Sequence, residues 1–217
     1  MRKNRKIVLS FDLDFTLINN KDGIINSFNY ALKKYNIPEV NGVDIEEMIG
    51  TPLDSMFAKF SDLEPPKLTY AFREYYGSKG IFQVKLFKGV KKKLEELKQF
   101  FILGVITSKK QEMAIKLLKY LEIDNYFDFI LGETDEIKSK IDSTLKHYLL
   151  NRYPDYKFVI IGDHPHDKML AEMLESPFIG LLTGNHNEEQ LKQNGKSKTL
   201  ILNSVNEITI EKIYSLF

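Results

Sequence analysis

The chain has 217 residues, 43 % hydrophobic and 28 % charged, enough for one good core or a core with a smaller insert. Its formal net charge of +1 gives no global field to attract nucleic acid, and it has no cysteine, which excludes a disulfide framework, a thiolate metal site and a cysteine nucleophile and fits a reducing, cytoplasmic setting. No apolar run approaches the ~20 residues of a membrane span, and the apolar stretch after the basic residues 1–6 is too short for a signal peptide, so neither a membrane nor nucleic acid is an expected partner.

The first element is a strand. Ile7, Val8, Leu9 and Phe11 form a short apolar run suited to a buried parallel strand. It ends in Asp12-Leu13-Asp14-Phe15-Thr16. Carboxylates two residues apart, at the carboxyl end of a buried strand, sit where open α/β sheets place their chemistry. In an extended segment they point to one side. Adjacent anions repel, so one takes a proton or a cation lies between them. A hard divalent cation with oxygen ligands fits, Mg²⁺ being the ordinary choice with phosphate substrates. One Asp would then attack phosphorus while the other carries protons. The competing reading is an Asp-rich turn in which Asp14 or Thr16 caps the next element.

The rhythm then becomes helical. Ile24, Ile25, Phe28, Ala31, Leu32 and Tyr35 recur at helical spacing, predicting a helix over 22–35. A short helix over 44–49 is expected to close at Gly50. Thr51-Pro52 reads as a fresh start, with Thr51 as N-cap and Pro52 at the first helical position. Pro65-Pro66 opens a further helix, and Gly77 is expected to stop it. Residues 18–84 thus form a helical insert.

From Lys88 strands and helices alternate. Helices are predicted over 89–99, 109–121, 139–151, 167–174 and 188–193, with a closing helix from Val205. Strands are predicted over 101–106, 127–131, 158–161, 178–182 and 199–202. Repeated strand–helix units with uninterrupted apolar strands imply an α/β, Rossmann-like parallel sheet with helices on both faces. Residues 1–17 and 85–217 would make that core.

All strand ends then share one rim. The second core strand ends in Thr107-Ser108-Lys109, a hydroxyl and free amides that could bind phosphate, although Ser108 serves equally as a plain N-cap. Another ends in Gly162-Asp163-His164-Pro165-His166-Asp167. Asp163 would complete a metal site with Asp12, and Asp167 would cap the next helix, hold a basic group or assist the metal. His164 and His166 read as loop residues, because a hard cation prefers oxygen. A lysine at 138 or 140 would neutralise these carboxylates and hold a phosphate as a point charge. Counting back along the apolar stripe of the helix from 139 favours Lys138.

These motifs, in this order, resemble the haloacid dehalogenase-like hydrolase superfamily, and the branch containing phosphoglycolate phosphatase. Gly50, Phe87-Lys88-Gly89-Val90 and the tail from Gly184 to Ile208 are also similar to that branch. The resemblance covers almost the whole chain. It implies a Rossmann-like core with a helical cap inserted after the first strand. It implies a Mg²⁺-dependent phosphatase acting on a small phosphorylated metabolite. In that reading Asp12 attacks to form an aspartyl-phosphate, and Asp14 protonates the leaving alcohol and then activates water. Thr107, Ser108 and Lys138 would contact the substrate. Mg²⁺ would be held by Asp12, the backbone carbonyl of Asp14 and Asp163, with Asp167 in support. Phe15 stands where the family usually has Gly, and the proline that often follows the third-motif lysine is missing.

Asp14 argues against a dehalogenase. A sugar-phosphate mutase of the same superfamily is nearer, but the known type uses a cap histidine. The four histidines here, 147, 164, 166 and 186, lie outside 18–84. A non-catalytic phospho-ligand binder is the alternative from another class. Substrate choice is expected to lie around residues 19–22, Gly50-Thr51 and Arg73, and the expected state is a monomer or weak homodimer.

Overall fold

The computed structural model describes residues 6–49, 52–193 and 195–217. Its elements in chain order are β1 (Ile7–Phe11), β2 (Ile18–Asn19), α1 (Lys21–Lys34), α2 (Gly42–Glu46), α3 (Leu53–Phe57), α4 (Pro65–Ser78), β3 (Lys85–Leu86), α5 (Val90–Lys98), β4 (Ile102–Lys110), α6 (Gln111–Tyr120), β5 (Phe129–Glu133), α7 (Ser143–Arg152), β6 (Lys157–Gly162), α8 (Pro165–Met173), β7 (Phe178–Leu181), α9 (Glu188–Lys192), β8 (Thr199–Leu202) and α10 (Ile210–Tyr214). Six strands form one sheet in the order β5-β4-β1-β6-β7-β8, paired in parallel throughout. β2 and β3 make a separate two-stranded sheet. The chain runs from β1 outward to β4 and β5, then crosses to the other side of β1 for β6, β7 and β8. That reversal leaves the carboxyl ends of β1, β4 and β6 around the crevice where open sheets bind ligands.

Strand alternation divides the apolar side chains between two faces. Val8, Ile106, Phe158, Ile160 and Phe178 form one buried cluster with Leu145 and Leu149 of α7, Leu170 and Ala171 of α8 and Leu191 of α9. Leu9, Phe11, Leu103, Val105, Val159 and Ile161 are buried as well. α5 and α6 pack on β4 and bury Val90, Leu94, Leu97, Ala114, Leu117 and Leu118. Helices on both faces explain why these strands are apolar throughout rather than alternating.

Two compact units emerge, Met1–Ile18 with Leu86–Phe217, and Asn19–Lys85. The smaller one has its own core, in which Phe28, Leu32, Ile45, Met56, Phe57, Leu68 and Phe72 are buried. The Phe28 and Phe57 rings stack there at 4.2 Å. No helix among the described residues is long and apolar enough to cross a membrane.

Several boundaries differ from expectation, each for a local reason. Gly77 does not end its helix, since α4 runs on to Ser78. Glycine costs about 1 kcal/mol inside a helix, and burial of Leu68, Ala71 and Phe72 outweighs it. Pro52 is the residue before α3 rather than its first, while Gly50 and Thr51 lie outside the described residues. β4 continues through Lys110, with a register shift after Ile106 before Lys110 pairs with Glu133, so α6 starts at Gln111. α7 starts at Ser143, capped by Asp142, whose carboxylate accepts from Thr144 N–H at 2.9 Å and Lys138 N–H at 3.0 Å. The last two shifts fall at the functional rim.

Candidate active site

Strand pairing fixes the first carboxylate. Asp12 follows β1 directly, and its N–H donates to the Ile161 carbonyl at 2.8 Å, continuing the β1–β6 ladder one residue further. The chain then turns tightly. Leu17 and Ile18 N–H groups converge on the Leu13 carbonyl at 3.0 and 3.2 Å, and Phe15 N–H donates to Ile18 at 2.8 Å. Phe15 takes a φ of +55°, a left-handed conformation that costs a side-chain-bearing residue roughly 1–2 kcal/mol. This backbone, rather than space alone, accounts for a preference for glycine at that position.

Asp163 follows β6 and accepts from the Thr16 hydroxyl at 2.9 Å, both side chains being buried. Gly184 closes over it, since a Cβ there would stand 1.9 Å from Asp163 Oδ2. Asp167 lies in the first turn of α8. One of its oxygens accepts from His164 N–H at 3.1 Å, half of a capping box completed by the His164 ring and the His166 N–H. Its other oxygen accepts from Lys140 Nζ at 2.7 Å. Asp167 therefore caps its helix and faces the site at once.

The lysine is Lys140. Its ammonium donates to Asp12 as well as Asp167, and it is only 6 % exposed. The expectation of Lys138 is corrected: that side chain is exposed, with its ammonium 3.8 Å from the exposed Asp135. The backbone explains the error. Residues 138–142 form a capped turn held by Asp142, not helix, so helical counting from α7 does not reach them.

Thr107 is buried at the end of the regular part of β4, and its hydroxyl accepts from Lys109 N–H at 3.2 Å. Ser108 is exposed on the strand extension, and Lys110, not Ser108, is the N-cap residue of α6. Asp14 is partly exposed, with Lys109 Nζ 3.1 Å from its Oδ2. The His164 ring lies 4.7 Å from His166 and 4.4 Å from His186 between centroids. Burial, reinforced by His186, lowers His164 to about 4, so it is neutral near pH 7.

The electrostatics ask for a cation. Asp12, Asp163 and Asp167 can each bring one oxygen to within 4.8 Å of the others. Burial raises Asp12 to about 7, opposed by Lys140 and reinforced by Asp167 and Asp14. Burial likewise raises Asp163 well above the carboxylate range, helped by Asp12 and Asp167. Burial opposes the charge of Lys140, yet the two carboxylates beside it outweigh that and raise its pKa. With all three carboxylates ionised, one ammonium would leave two negative charges, which one divalent cation would balance; without such a cation, burial favours the protonated forms of Asp12 and Asp163. The donors are all oxygen, the set a hard cation prefers.

A sequence profile of the haloacid dehalogenase-like hydrolase family matches residues 9–181, a span that contains Asp12, Thr107, Lys140, Asp163 and Asp167. The chain belongs to that family. A haloacid dehalogenase-like hydrolase, SP0104 from Streptococcus pneumoniae, is 28 % identical with a TM-score of 0.83, over 95 % of this chain and 97 % of that one. Pyrophosphatase PpaX of Halalkalibacterium halodurans is 29 % identical over 72 % of this chain and 74 % of its own length. The structure of a predicted phosphoglycolate phosphatase from Haemophilus somnus 129PT is 26 % identical, with a TM-score of 0.78 over 98 % of this chain and 99 % of that one. This member of the family is a phosphatase for small phosphorylated compounds.

Sequence reasoning missed two contacts at the site. Thr16 read as a possible cap, but its hydroxyl orients Asp163. Lys109 read as the first residue of a helix, but it lies on the β4 extension facing Asp14. The only sequence signal for either was its place inside a motif already singled out.

Proposed function

We propose that the chain is a Mg²⁺-dependent phosphomonoester hydrolase that works through a covalent aspartyl-phosphate on Asp12. The observation that carries this reading is the convergence of Asp12, Lys140 and the pair Asp163 and Asp167, from three separate chain segments, in one buried cluster. A buried carboxylate at the end of β1 has the position of a nucleophile. Its charge is held by Lys140 until an incoming phosphoryl group shares that ammonium.

In the first step an Asp12 oxygen bonds to phosphorus as the ester oxygen departs. Asp14, the partly exposed carboxyl two residues on, gives that oxygen its proton. In the second step Asp14 takes a proton from water, which releases phosphate and restores Asp12. Thr107 and Lys140 hold phosphoryl oxygens, a task that needs positioning and neutralisation more than covalent help. Ser108 would contribute only from the rim. Mg²⁺ would be held by Asp12, Asp163 and the Asp14 carbonyl with Asp167 in support, and when bound it offsets the repulsion between nucleophile and phosphate.

Residues 19–85 would act as the cap that selects the substrate, since the core handles only the phosphoryl group. The substrate class is a small phosphorylated metabolite handled by a monomer or weak homodimer in the cytoplasm. The test is phosphate release from a panel of phosphoglycolate, pyrophosphate, nucleotides and sugar phosphates, with and without Mg²⁺. Turnover should require Mg²⁺ and vanish in Asp12→Asn. Wild-type turnover by Asp12→Asn would refute the mechanism, and binding without turnover by the native chain would favour a phospho-ligand binder.

A further inference from the structure

We propose that Lys109 is a positioning residue for the proton-transfer step: it anchors Oδ2 of Asp14 and so aims the carboxyl group at the leaving oxygen. The inference rests on the acid–base role given to Asp14 above.

The geometry is built into the backbone. β4 does not stop at Thr107 but shifts register and runs on to Lys110. Gly132 on neighbouring β5 makes room for this extension, since a Cβ there would stand 2.4 Å from the Lys109 carbonyl oxygen. The Thr107 hydroxyl holds the Lys109 N–H at 3.2 Å. Lys109 is thus fixed by the residue that would grip the phosphoryl group. Its side chain is 11 % exposed, against 29 % for Asp14, and the two meet at 3.1 Å. A lysine this shielded is not an ordinary surface partner, because exposed pairs are loosened by water and side-chain entropy.

The chemistry follows from which state the ammonium favours. As the bond from phosphorus to the ester oxygen breaks, the electron pair leaves on that oxygen, which takes the proton from Asp14. Asp14 is left as a carboxylate, and the Lys109 ammonium stabilises that product. The new bond from Asp12 to phosphorus completes the balance. In the second step Asp14 recovers a proton from the attacking water. Lys109 is needed most where the leaving oxygen most needs a proton.

This gives a test that separates positioning from a structural tie. Wild type, Lys109→Met, Lys109→Gln, Lys109→Arg and Asp14→Asn are compared by kcat/KM on an alkyl phosphate that the enzyme turns over and on 4-nitrophenyl phosphate. The nitrophenolate leaves readily without a proton; the alkoxide does not. The neutral variants should lose on the order of 10- to 100-fold with the alkyl ester, and about threefold or less with the aryl ester. Lys109→Arg should recover most of the alkyl activity, and Asp14→Asn should show the same split more strongly. Thermal unfolding is followed alongside, and Lys109→Gln or Lys109→Arg serves if Lys109→Met fails to fold. Equal losses on both esters, or no loss on either, would overturn the role of Lys109. If Asp14→Asn itself shows no split, the acid role of Asp14 fails first. If Asp14→Asn splits and the Lys109 variants do not, only this inference fails.

Discussion

Replacing Lys140 with Met keeps the unbranched apolar stem and deletes the ammonium, and the structure sets the scale of the loss. The ammonium sits 2.7 Å from Asp167 and also contacts Asp12, all three groups being buried. At that distance each attraction is about 6 kcal/mol at an effective dielectric of 20. Desolvation of the ammonium cancels much of this. Removing one partner of such a buried arrangement still costs about 3–5 kcal/mol, because the carboxylates stay behind. Proton uptake limits the damage at neutral pH, since burial already raises Asp12 to about 7. Lys140→Met should therefore lose about 3 kcal/mol in urea denaturation, and added Mg²⁺ should return part of it. Loss of a donor to the developing phosphoryl charge should lower kcat/KM by about 10²–10³. Lys138→Met is the control: its exposed pair with Asp135 should leave stability and kcat/KM at wild-type levels. If Lys138→Met is inactive while Lys140→Met retains stability and turnover, the electrostatic assignment is wrong.

Two further outcomes follow from the same geometry. Gly184→Ala would set a methyl 1.9 Å from Asp163 Oδ2, and a carboxylate displaced by about 1 Å can cost roughly 10² in rate; the variant should need more Mg²⁺ for half-maximal activity, and an unchanged Mg²⁺ titration would contradict this. Glu172 is held down to about 2: burial opposes its charge, but Lys168, Ser197 and Lys196 donate to it and win. A depressed carboxylate stabilises the fold above its unfolded value, and that contribution disappears as pH falls from about 4.5 to 2. After screening, Glu172→Gln should cost about 1–2 kcal/mol at pH 7, and its denaturation curve should merge with wild type near pH 2; a gap that persists there would refute the linkage.

Much of the fold was legible because burial on both faces writes a simple code. Ile7 to Phe11, Phe158 to Ile161 and Phe178 to Leu181 could only be covered parallel strands, and their order with the intervening helical stripes implied the sheet. Asp12 and Asp163 were legible for the same reason, since each directly follows such a strand. What failed lay where no periodicity reaches. Lys140 is placed by a turn that Asp142 organises through backbone hydrogen bonds, so neither strand nor helix counting applies to it. Lys109 is placed by a register shift in β4, which only the pairing with β5 reveals. Asp167 was legible as a cap or as the holder of a basic group, and it is both; which base it holds was not legible, because nothing local points to a lysine 27 residues away.

The central claim is that phosphorus becomes bonded to Asp12. The direct measurement is acid quench of the Mg²⁺-loaded enzyme during turnover of 4-nitrophenyl phosphate, whose leaving group needs no proton, followed by mass mapping of its peptides, with Asp14→Asn used to slow the second step. The account predicts one added phosphoryl group on the peptide containing Asp12, lost on treatment with hydroxylamine and absent from Asp12→Asn. A phosphoryl group on any other residue, or steady turnover with none on the protein in the slowed variant, would contradict it.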